Sequence, residues 1–168
     1  ATNPARASGD LVGNAGRSGR VTGAGGTWTT YRKMALDAVD QAVARGGLQP
    51  VTPSRTETLK LVGAANFDPA GAARLEGLEE DVREHLHRSY GDRAYEVARL
   101  AADGLSQRLA TGYPYIEAEV VSAARFELAV TVRDVLEHRT RLAFLNEAKA
   151  KEAEARVREL LEREMTAA

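Results

Sequence analysis

From residue 29 onward, apolar residues recur every three or four positions, the period of one buried helical face. Tyr31, Met34, Ala35, Ala38, Val39 and Ala42 form the first such stripe, predicting a helix from about Thr29 to Arg45 that Gly46-Gly47 stop. Leu75, Leu78, Val82, Leu86 and Tyr90 mark a second helix, ended by Gly91, and Asp92 is placed to cap a third that faces Ala94, Val97, Ala98 and Ala101 inward. Gly104 and the Gly112-Tyr113-Pro114 turn bracket a short fourth piece. Ile116, Val120, Val121 and Ala124 give another helical face. Thr131 caps a helix that buries Val132, Val135, Leu136 and Leu142, and Asn146 caps a last one built on Ala150, Ala153, Val157, Leu160 and Leu161. Between the first two helices Pro50 and Pro53 break the chain, and Thr58–Val62 alternates briefly as an extended segment would. The predicted fold is all-α, a bundle of about five to seven helices.

The front of the chain follows a different pattern. Residues 1 to about 21 are rich in Gly, Ser, Asn, Ala and Arg, with Leu11 and Val12 as the apolar pair. Such a stretch buries too little surface to offset the entropy of ordering it, so it reads as a loose arm or the edge of a larger domain. Gly13, Gly16 and Gly19 do not have the G-x-G-x-x-G spacing of a phosphate loop, and no hydrophobic strand precedes them. Val21–Ala24 is a candidate strand leading into Gly25-Gly26. The domain boundary is drawn at residue 28, with a glycine-rich arm over 1–28 and a helical domain over 29–168.

Composition narrows the chemistry. The 168 residues hold no cysteine, which removes disulfides, thiolate metal sites and cysteine nucleophiles, and fits a reducing compartment. A formal charge of −1 gives no global field toward nucleic acid or anionic lipid. No apolar run approaches the roughly 20 residues that span a bilayer. The expectation is a cytoplasmic chain, with a peripheral contact on the inner face of the cell membrane left open. The absence of an initial methionine suggests a fragment or a processed product.

Several side-chain patterns invite chemistry and are set aside on geometry. His85 and His87, two apart on a helix, face nearly opposite sides and cannot grip one ion. The same objection holds for Glu117 and Glu119 as an acid–base pair, and ion pairing with Arg139 or Arg141 is expected instead. A helix–turn–helix reading of residues 116–142 fails because Val132–Glu137 lacks the basic and amide side chains that DNA readout needs, so no nucleic-acid partner is expected.

The feature that points to a ligand is Gly25-Gly26-Thr27-Trp28-Thr29-Thr30-Tyr31-Arg32-Lys33-Met34-Ala35. Twin glycines permit positive φ and close approach, and a helix opening follows whose free N–H groups favour negative charge. This segment resembles the GG-K-W/L-TTYRKMA signature of FAD-dependent glycerol-3-phosphate dehydrogenases. Pro53-Ser54-Arg55-Thr56, Leu61-Val62-Gly63-Ala64, Tyr90-Gly91 and Ala94 also resemble that family. So do Pro114–Val121, Glu127, Ala129, Thr131, Asp134-Val135-Leu136 and Arg139-Thr140-Arg141-Leu142, in register with P-Y-x-E-A-E-V-x-x-A-x-x-x-E-x-A-x-T-x-x-D-x-L-x-R-R-T-R-L. The likeness runs from about residue 21 to 165.

The resemblance implies the C-terminal part of a flavoprotein that oxidises sn-glycerol 3-phosphate to dihydroxyacetone phosphate and passes electrons to a quinone. It implies that Gly25, Gly26, Thr27, Trp28, Thr29 and Thr30 contact FAD, whose negative charge on reduction a helix opening would stabilise. The glycine-rich arm then becomes a remnant of the flavin domain, and the remainder of that domain becomes a partner. No catalytic residue and no metal ligand are assigned. One departure stands out: the family has lysine after the two glycines, where this chain has Thr27, which donates a hydrogen bond but supplies no charge. The chain alone is expected to be inactive. The rival expectation is a non-catalytic helical interaction or membrane-docking domain; an upstream reading frame with a strand and G-x-G-x-x-G separates the two.

Overall fold

Thr29 and Thr30 do not start the first α-helix directly. In the computed structural model, which describes residues 12–15, 21–24 and 27–167, a 3-10 turn over Trp28–Thr30 runs into helix α1 (Tyr31–Gly46). Gly47 ends it at φ 59°, a left-handed conformation that glycine adopts without penalty, and its N–H caps the Val43 carbonyl. The predicted strand is present as β2 (Val21–Ala24). It pairs antiparallel with a strand that was not predicted, β1 (Val12–Ala15), in the register Val12↔Ala24.

The chain divides into two compact units, Ala1–Leu59 and Lys60–Ala168. In the first, β1 and β2 contact α1, yet no α1 residue is buried. The expected stripe is therefore corrected: Tyr31, Ala35, Val39 and Ala42 are exposed, and Met34 and Ala38 only half-buried. The hairpin offers too little surface to cover a helix of 16 residues.

The second unit holds helices α2 (Glu80–Tyr90), α3 (Ala94–Leu100), α4 (Glu117–Glu127), α5 (Val132–Leu136), α6 (Leu142–Leu145) and α7 (Glu147–Ala167). The all-α expectation holds for this domain. One core cluster joins Leu75, Val82, Leu86, Val97 and Ile116. The other gathers Val120, Val135, Leu142, Val157 and Leu160, where α7 lies against α4, α5 and α6. Leu100 and Leu105 pack on both. Both predicted caps are made: Thr131 Oγ1 accepts from the Asp134 N–H (3.1 Å), and Asn146 Oδ1 accepts from the Lys149 N–H (3.1 Å).

Other boundaries move. Thr58–Val62 is not extended; Thr58 and Leu59 N–H groups fold back onto the Arg55 carbonyl. Leu75 and Leu78 precede α2 rather than belong to it, and Leu75 follows a 3-10 turn at Gly71–Arg74. Between Gly104 and Gly112 there is no helix; Arg108 instead bridges to Ile116. The single helix predicted through Leu142 is split into α5 and α6, because Arg141 takes φ 60°.

Asp92 does not cap a helix side-on. Its carboxylate accepts from the Asn66 N–H (2.7 Å), and its own N–H donates to the Gly63 carbonyl (2.8 Å). This crossing requires glycine twice. Gly63 (φ 89°) and Gly91 (φ 60°) touch backbone to backbone, and a Cβ on Gly91 would sit 2.0 Å from the Gly63 carbonyl oxygen. The Leu61-Val62-Gly63-Ala64 and Tyr90-Gly91 stretches are thus two halves of one contact.

Candidate functional site

Gly25 and Gly26 lie outside the described residues; the other four residues of the candidate flavin contact form the 3-10 turn that leads into α1. Thr27 is extended (φ −124°, ψ 161°), and its N–H donates to Thr30 Oγ1 (3.2 Å) while its carbonyl accepts from the Thr30 N–H (3.0 Å). The hydroxyls of Thr27 and Thr29 are 3.0 Å apart. Trp28 is 89% exposed, its ring centroid 6.0 Å from that of Tyr31. The first turn of any helix carries N–H groups without intrahelical acceptors, and a helix behind it adds partial positive charge. With the Thr27 and Thr30 amides and the Thr30 hydroxyl engaged within the turn, the donors left beside the open Trp28 ring are the Trp28 and Thr29 amides and the Thr27 and Thr29 hydroxyls, a set that a polar ring edge such as a flavin's could accept. They bring no cation. Arg32 reaches toward Thr56 Oγ1 (3.5 Å), and Lys33 pairs with Asp37 one turn on. The charge lost with Thr27 is not restored by either.

The second unit contains a buried polar cluster that the sequence pattern did not reveal. Glu119, 2% exposed, accepts from His85 Nε2 (2.7 Å) and the Tyr90 hydroxyl (3.0 Å) on one oxygen, and from the Ile116 N–H (2.8 Å) on the other. Ser89 Oγ lies 3.3 Å from His85 Nδ1, and Tyr115 meets the imidazole edge-on. Burial, and then the Glu119 charge, push the Tyr90 hydroxyl far above the usual tyrosine range. Every polar end is engaged, so the set ties α2 to the start of α4 rather than presenting a reactive group. The legible signal was position: Glu119 stands three residues after Ile116, where a glutamate reaches back to cap its own helix.

Glu117 points elsewhere, gripped by Arg156 Nε (2.7 Å) and Nη2 (2.9 Å) from α7. The expected partners are corrected: Arg139 pairs with Glu127 (2.9 Å), and Arg141 lies 6.0 Å over the Phe144 ring. Pairing was set by which helix α4 packs on, and sequence distance carries no trace of that. The two histidines part as the helical geometry requires, with His87 bonded to the Asp68 carbonyl (2.7 Å) and stacked on Phe67. Arg108 fastens the irregular segment before α4 to the start of α2. It donates to both Asp81 oxygens (2.7 and 2.8 Å) and to the Tyr113 carbonyl (2.7 Å). These bonds hold the Asp81 carboxyl below the usual range.

A helical domain built on two joined core clusters is the class that the second unit defines. A family model described as the C-terminal domain of alpha-glycerophosphate oxidase matches residues 54–167, and the chain belongs to that family. Among curated proteins it is 46% identical over 157 residues to the mitochondrial glycerol-3-phosphate dehydrogenase of Mus musculus. It is 45% identical over 157 residues to that of Homo sapiens, and 37% identical over 161 residues to the mitochondrial enzyme SDP6 of Arabidopsis thaliana. These matches cover 88%, 88% and 85% of this chain but 21%, 21% and 26% of the relatives. The chain spans about a fifth to a quarter of their length. No solved structure matches it.

Proposed function

We propose that the chain is the C-terminal portion of an FAD-dependent glycerol-3-phosphate dehydrogenase, with quinone as electron acceptor. In this reading FAD supplies the redox chemistry, taking the electrons lost as sn-glycerol 3-phosphate becomes dihydroxyacetone phosphate. The remainder of the flavin domain, including the arm at 1–28, holds most of the cofactor. Gly25 and Gly26 allow close approach, the Trp28 and Thr29 amides and the Thr27 and Thr29 hydroxyls supply donors, Thr30 holds the turn in shape, and the Trp28 ring covers one side. The residues from 29 to 168 act as a helical domain behind that contact. Alone, the chain neither retains FAD nor turns over. The working location is the cytoplasm, with a peripheral contact at the inner face of the membrane.

The observation that carries the reading is 46% identity to a glycerol-3-phosphate dehydrogenase across 88% of the chain. The open amide and aromatic face at Thr27–Tyr31 supports the cofactor part of it. Trp28 is the single tryptophan, so its emission reports directly on that face. Titration with FAD, corrected for flavin absorption, should quench Trp28 weakly, with no yellow complex surviving gel filtration and no dye reduction by glycerol 3-phosphate. Absence of quenching at any FAD concentration removes Thr27–Thr30 from the cofactor site. A stable yellow complex or turnover shows that the chain is sufficient by itself and overturns the need for a further flavin domain.

A further inference from the structure

We draw no further inference here: the strongest candidate, the open cleft of about 340 Å³ between α2 and α4 that the buried Ser122 lines with Val62, Tyr90, Arg93 and Phe126, has its charges already paired within the chain, Arg93 with Glu96 and Glu127 with Arg139, and nothing in the structure shows what occupies it.

Discussion

Helices α1 and α7 are written in the same periodic code, yet only one of them has a core. In α7, Ala150, Ala153, Val157, Leu160 and Leu161 are all buried against α4, α5 and α6. In α1 the equivalent stripe leaves Tyr31 and Val39 in water, with two short strands as its neighbours within its unit. Periodicity states that a helix has a face. Whether that face is covered depends on how much apolar surface the rest of the unit can bring to it, and the unit ending at Leu59 brings little.

The sharpest way to break the contrast is to attack the backbone crossing that organises the second unit. Gly91→Ala places a methyl group against the Gly63 carbonyl at a positive φ. It should cost about 4 kcal/mol or more, read as a collapse of the main thermal transition in circular dichroism. If the variant melts like the native chain, the crossing is not holding the corner together. A core truncation and its counterpart in α1 come next. Leu160→Ala should destabilise by about 3 kcal/mol, whereas Val39→Ala should stay within about 0.5 kcal/mol. Equal effects in urea unfolding would mean that both helices are buried alike.

The smallest effect concerns pH. Arg108 depresses the Asp81 carboxyl, so this contact stabilises the fold above the ordinary aspartate value near pH 4 and is lost as pH falls through the lower folded value. The melting-temperature advantage of the native chain over Asp81→Asn should therefore shrink between about pH 6 and about pH 3. A gap that is constant, or that widens in acid, contradicts this sign. Because Asp81 is exposed, the gap at neutral pH should itself be modest.

Much of the second unit was legible before any coordinates, for local reasons. Thr131 and Asn146 cap because a short polar side chain can reach an N–H two or three residues ahead, wherever the helix ends up. Val157 and Leu160 are buried because they share a stripe with Ala150 and Ala153. The candidate flavin contact is a local reading too, a run of adjacent residues of which Gly25 and Gly26 lie outside the described part. The Glu119 cluster was not. Its donors, His85 and Tyr90, come from a helix about thirty residues earlier, and no local rule links them to Glu119.

The amino-acid order alone thus set the helix starts capped by Thr131 and Asn146, which helical faces of the last third are apolar, and which family the chain resembles. These depend on neighbours within one or two turns. Only the folded arrangement decided that Glu117 meets Arg156 instead of Arg139, that Gly63 and Gly91 are one contact, and that α1 lacks a covering core within its unit. Each of those outcomes depends on segments distant in sequence meeting in space, where packing and charge select partners that spacing cannot specify.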